Sequence, residues 1–189
     1  MTRDAVDWTC RCGEVRLSVI PGDGSRCVCY CTDCRAFYRH LGAGAWLDPA
    51  GGVDLWQTVP DRIAIVSGAD RLAALKLTGR GPIRMHTTCC RTPVANLPPR
   101  PAFPFAALTV GGIADPSALG PVDATVQTGS ATGPVDRRGT TALYVAGVIG
   151  RMLKARLTGR RATPFFDDAG RPVATPRRLT EAERAAAYG

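Results

Sequence analysis

Apolar side chains alternate with other residues over several short stretches of the chain: Val15, Leu17 and Val19; Val53 and Leu55, with Val59 beyond; Ile63 and Ile65; Ile83 and Met85. A period of two puts such residues on one face of a strand. Breakers separate the stretches at Pro21-Gly22-Asp23-Gly24, Pro49-Ala50-Gly51-Gly52, Ser67-Gly68 and Gly79-Arg80-Gly81-Pro82. Short, hairpin-connected strands are expected between them, giving a mainly β protein with an antiparallel core. Residues 98–104 are proline-rich and read as an extended connection into 105–110. Residues 111–139, rich in Gly, Ala, Thr and Asp with little periodicity, read as a loop or an insertion.

The period changes near the end. Tyr144, Val145, Val148, Ile149, Met152, Leu153 and Leu157 recur at helical spacing before Gly159, which predicts an amphipathic helix from Thr141 to Thr158. Thr180 and Glu183 form a capping-box pattern that opens a last short helix. The expected organisation is a β domain over residues 1–139, with a basic helical segment, 140–189, packed on it.

Charge is distributed unevenly. The net charge of +8 divides into +1 over residues 1–136 (13 positive, 12 negative) and +7 over residues 137–189 (11 positive, 4 negative). Arg151, Lys154, Arg156, Arg160 and Arg161 fall at or beyond the C-terminal end of the expected helix, where the macrodipole favours cations. A basic segment can also meet an anionic membrane surface or an acidic ligand. No aromatic residues interleave with these arginines, so nucleic-acid binding by stacking is not expected. The longest apolar run, Ala142 to Gly150, is nine residues, against roughly 20 for a membrane-spanning helix. Residues 1–8 contain no apolar signal region, so a cytoplasmic location is expected.

Eight cysteines change the picture most, because a cytosolic chain keeps its thiols reduced and needs another use for them. They fall into three clusters: Cys10-Arg11-Cys12-Gly13; Cys27-Val28-Cys29-Tyr30-Cys31-Thr32-Asp33-Cys34; and Cys89-Cys90, preceded by His86. Thiolates two or three positions apart on a turn can converge on one tetrahedral ion, whereas a disulfide between such neighbours is strained. Thiolate and imidazole ligands suit Zn2+. Two other readings stand beside zinc: cysteines packed as small apolar residues, and a redox dithiol at Cys31 and Cys34, although no βαβ pattern surrounds that pair.

These motifs carry a resemblance. Cys10-x-Cys12-Gly13-x-Val15, then Cys29-x-Cys31-x-x-Cys34-Arg35, then the cysteine site at 89–90, resemble in order and spacing the glutathione-dependent formaldehyde-activating enzyme and CENP-V domain superfamily. Cys29–Phe37, Gly51–Gln57 and Cys89–Asn96 look like an uncharacterised bacterial branch of it. The resemblance covers residues 8–110 well and residues 164–170 and 179–184 loosely. It implies an Mss4-like zinc-stabilised antiparallel β core, with Cys10, Cys12 and Cys89 on a structural ion and Cys29, Cys31 and Cys34 on a second one. The third site of that family reads Cys-x-x-Cys-Gly. Here it reads His86-Thr87-Thr88-Cys89-Cys90, so His86 is the favoured fourth structural ligand and Cys90 the other possibility. The trio alone matches the family, so Cys27 is expected to stay off the second ion, leaving it a free position.

The activity implied is that of a zinc-dependent carbon–sulfur lyase handling the adduct of a low-molecular-weight thiol and an aldehyde. Arg35 and Arg91, each beside a ligand, are the nearest groups to hold such a thiol's carboxylates. Three thiolates leave zinc at net −1, a poor Lewis acid, and no acid–base pair stands out around His40 or elsewhere, so no catalytic side chain is assigned. The alternative is a non-enzymatic zinc-binding module whose basic helix docks on a partner.

Overall fold

The alternating stretches become strands where the breakers permit. The computed structural model describes residues 4–189, so the first three positions of the N-terminal stretch considered for export lie outside the described residues. The strands β1 (Val6–Thr9), β2 (Arg16–Val19) and β5 (Ile63–Ser67) form a small antiparallel sheet in the order β1-β2-β5. A larger sheet contains β3 (Gly24–Cys29), β4 (Val53–Thr58), β6 (Leu72–Lys76), β7 (Ile83–Thr87), β8 (Pro93–Leu97), β9 (Ala106–Thr109), β10 (Val122–Val126) and β11 (Pro176–Arg178). Its order is β10-β3-β4-β9-β8-β7-β6-β11. The protein is mainly β, as its periodicity predicts.

Two features differ from the sequence-based expectation. The inner pairs of the large sheet are antiparallel, but both edge pairs, β10 with β3 and β11 with β6, are parallel. Hairpins impose antiparallel pairing on neighbours in sequence, whereas these edge strands arrive over long connections that leave the direction free. The segment 111–139 is therefore not all loop: it contributes β10, held to β3 partly by Asp123, whose carboxylate accepts from the Arg26 amide at 2.8 Å.

The core has two parts, one on each face of the large sheet. Trp56 packs with Trp8, Leu17, Val19, Met85 and Leu108, joining the small sheet to one face. Its neighbour Leu55 packs with Cys27, Phe37, Tyr38 and Leu75, joining α1 (Thr32–His40) to the other. Strand alternation thus separates the two clusters residue by residue. Every residue of β8 and β9 is buried, the pattern of strands covered on both sides.

Two further helices follow, α2 (Thr141–Leu157) and α3 (Glu181–Tyr188). The capping box forms at α3, with Thr180 Oγ1 accepting from the Glu183 amide and Glu183 Oε2 accepting from the Thr180 amide. Helix α2 lies where its periodicity predicts, but it buries only Tyr144 and Ala155, and most of its large apolar side chains stay in solvent. Its C-terminal end is pinned by Arg160, which donates to Asp61 and Asp23 at 2.6 Å each.

Candidate metal centres

Two groups of sulfur atoms gather on opposite faces of the large sheet. The first joins the β1–β2 turn to the β7–β8 turn and contains Cys10, Cys12, Cys89 and Cys90. Gly13, with φ of +83°, lets the first turn close behind Cys12. The Gly13 amide donates to the Cys10 carbonyl, and the Val15 amide donates to Cys10 Sγ at 3.3 Å. In the second turn Arg91 takes the left-handed conformation, with φ of 55°, so the chain reverses directly after Cys90 and both adjacent cysteines reach the same point.

The sulfur spacing fits a tetrahedral ion. Four thiolates at about 2.3 Å from zinc lie about 3.8 Å from one another. The observed Sγ separations are 3.5 Å for Cys10–Cys12, 3.3 Å for Cys12–Cys89, 4.0 Å for Cys10–Cys89 and 3.8 Å for Cys89–Cys90. Hydroxyl groups stand behind the last ligand, with Thr87 and Thr92 Oγ1 at 3.3 and 3.0 Å from Cys90 Sγ. Burial raises the Cys90 pKa, but these bonds outweigh it and draw the thiol down to about 5, favouring the thiolate that a metal needs.

The second group is Cys29, Cys31 and Cys34. Cys29 ends β3, Cys31 is the N-cap of α1 and Cys34 lies in its first turn. Cys31 Sγ accepts from the Cys34 amide at 3.3 Å, doing what a Ser or Asp oxygen does at other helix starts. The positive end of the helix dipole favours anionic sulfur here. Hydrogen bonds from Cys29 and Cys34 pull the Cys31 thiol down to about 2, while the same contacts and burial raise Cys29. Among the described residues the group has three members, and no fourth Cys, His, Asp or Glu joins it.

The structure sorts the residues read from the sequence. Cys90, not His86, completes the first group, so the preference for His86 there is corrected. Thr87 turns toward Cys90, and strand alternation sends its neighbour His86 the other way. Burial lowers the His86 pKa to about 4. Cys27 lies outside the trio, as expected: it shares a strand face with Cys29 but sits one pleat away, fully buried, with Gln57 Nε2 3.9 Å from its sulfur and burial pushing its thiol up to about 12. Cys27→Ala should therefore leave the metal content per chain unchanged and only lower the melting point modestly, which elemental analysis beside a thermal melt would check.

Arg35 and Arg91 are occupied elsewhere. Arg35 donates to the Ser130 carbonyl at 2.9 Å, and Arg91 to the His40 carbonyl. The sequence reading missed Arg84, which is 3% exposed. It donates to Asn96 Oδ1 at 3.0 Å and to Cys34 Sγ at 3.8 Å, and its guanidinium lies 5.4 Å from the centre of the Phe37 ring. Asp33, 3.9 Å away, is its ion-pair partner and also accepts from the Tyr188 hydroxyl at 2.6 Å. A buried guanidinium cannot shed its proton and needs anionic company. Three thiolates around one Zn2+ carry net −1 and would supply it. Both donor sets thus fit the ion.

A model of the family described as "Family of unknown function (DUF6151)" matches residues 2–176. No curated protein matches the chain. Among solved structures, the crystal structure of a Rhodobacter sphaeroides protein is similar at 22% identity and a TM-score of 0.40, covering 61% of this chain and 96% of that one.

Proposed function

Since the chain belongs to the DUF6151 family, whose description assigns no activity, its chemistry has to be argued from its own sulfurs, and we propose that it is a zinc-dependent carbon–sulfur lyase for adducts of a low-molecular-weight thiol and an aldehyde. The observation that carries this reading is the asymmetry of the two sulfur groups. Four sulfurs at tetrahedral spacing make a closed, structural site, and three make a site with one position free, which is the division between structural and reactive zinc. The motif resemblance to the formaldehyde-activating and CENP-V superfamily supports the substrate class.

In this reading Cys29, Cys31 and Cys34 hold the ion against the start of α1, and Arg84 offsets the surplus negative charge. Zinc held there supplies a position that favours the thiolate form of a substrate thiol. Carbon–sulfur cleavage would then leave the bond's electron pair on sulfur as a thiolate and form the aldehyde carbonyl as the hydroxyl proton passes to solvent water. Residues 1–139 contain both sulfur groups, and residues 140–189 complete the large sheet with β11, add Phe165 to the core and bring Tyr188 of α3 to Asp33.

The test is the exchange rate between formaldehyde and several small thiols, followed by NMR with the zinc-loaded protein. At least one adduct should form and break about tenfold faster than spontaneously, an effect of ~1.4 kcal/mol on the barrier, and Cys29→Ser should abolish the gain. Rates unchanged across all the thiols would remove the lyase reading. They would favour a zinc-binding interaction module, a reading to which the exposed apolar side of α2 lends independent weight.

A further inference from the structure

Helix α2 has an apolar side that nothing among the described residues covers. Leu143 is 75% exposed, Val145 45%, Ile149 50%, Leu153 56% and Leu157 86%. These five side chains expose on the order of 600 Å² between them, the upper end of what a monomer carries as its largest apolar patch. The opposite side is fixed: Tyr144 and Ala155 are buried, Arg151 donates to Ser25 Oγ, and Arg160 pins the chain just beyond the helix. The exposed face is therefore a rigid platform, not a loose strap.

We propose that this face pairs with the same face of a second copy of the chain, in antiparallel fashion, about a twofold axis between Ile149 and Gly150. At 100° per residue the centre of the outward face is formed by Ala142, Ala146, Ile149, Gly150, Leu153 and Leu157. Running two such helices in opposite directions about that axis sets Ala146 against Leu153 on the centre line and brings Ala142 to the height of Leu157, while Ile149 and Gly150, on either side of the axis, each face their own counterpart. Ala146 meets Leu153 on both sides of the axis, and Gly150 beside the axis lets the two backbones approach, the self-complementarity that a twofold interface requires. Two patches together bury about 1,200 Å², the lower bound for a specific, stable interface.

The charges agree with this arrangement. In the pair Lys154 of one helix falls beside Leu143 of the other and Arg156 beside Val145, where their aliphatic stems can cover those side chains while the charged ends reach water. The two Lys154 ends are separated along the axis by on the order of 13 Å, beyond the Debye length at physiological salt. The helix dipoles run antiparallel.

Sedimentation of the full chain tests the proposal. The wild type should show the mass of two chains, with half-dissociation in the micromolar range, and Ala146→Glu or Leu153→Glu should weaken association at least about 100-fold. Both positions face solvent in the single chain, so melting point and metal content should hold, which separates lost pairing from lost folding. Ala146→Leu or Leu153→Ala alone should weaken the pair, and the two together, which exchange large and small across the axis, should return it to within about tenfold of wild type. A single-chain mass at about 100 μM overturns the proposal. A dimer that survives both glutamate variants overturns it too, as does a double exchange no better than the weaker single. So does capture on anionic phosphatidylglycerol vesicles that Leu153→Glu abolishes in a chain that never self-associates.

Discussion

Cys89→Ser is expected to lower the melting temperature by about 10–20 °C. Loss of a structural metal belongs among the few changes that cost roughly 4–5 kcal/mol or more, and each kcal/mol moves the midpoint of a chain this size by about 2–4 °C. The reason lies in what the four sulfurs connect. Cys10 and Cys12 belong to the small sheet, and Cys89 and Cys90 to the turn that joins β7 to β8 of the large one. An ion held between them fastens the β1–β2 turn to the β7–β8 turn at the edge of the core, where Cys12 is in solvent although Cys10 is buried. A strong chelator should lower the wild-type midpoint by a similar amount and have a much smaller effect on the variant. A thermal melt of the variant that superimposes on wild type would contradict the role given to this site.

The second large effect concerns Arg84, and here the sign decides. With zinc in the trio, Arg84→Met removes the cation that offsets a net −1 site, so zinc affinity there should fall by about 10–100-fold, as on loss of other groups that support metal ligands. A competition titration with a zinc-binding dye reads this directly, and the four-sulfur site of the same molecule is its internal control. If the trio carried no ion, Arg84 would be a buried charge served by Asn96 and a half-exposed Asp33. Replacing it with an apolar side chain of similar length would then be neutral or stabilising. A raised melting point with unchanged zinc affinity would thus count against a metal at the trio. Arg84→Lys, which keeps the charge but loses the planar fork, should fall between wild type and Met.

The cysteine clusters were legible because their geometry is local. A Cys-x-Cys turn or a Cys-x-x-Cys helix start brings sulfurs together whatever the rest of the chain does. The strands on both sides of the breakers, α2 and the capping box at Thr180 were legible for the same reason. The choice between His86 and Cys90 was not, because it depends on which side of β7 faces the β1–β2 turn, and that is fixed by how two sheets pack. Arg84 was hidden more deeply. An arginine in the alternating run Ile83-Arg84-Met85-His86 reads as the solvent side of a strand, and only the arrival of α1 over that face, with Tyr188 of α3 at Asp33, buries it. Strand β10 was missed because Val122 to Val126 is short and finds its partner almost a hundred residues away. The exposure of one apolar side of α2 was not legible, because helical periodicity shows that a helix has an apolar stripe, not that the stripe is covered.

Zinc counted per chain by elemental analysis, on protein purified without chelator or added metal, tests the central claim most directly. Two ions in the wild type and one in Cys29→Ser are the predicted result. No bound metal, or an equal count in both proteins, would contradict it.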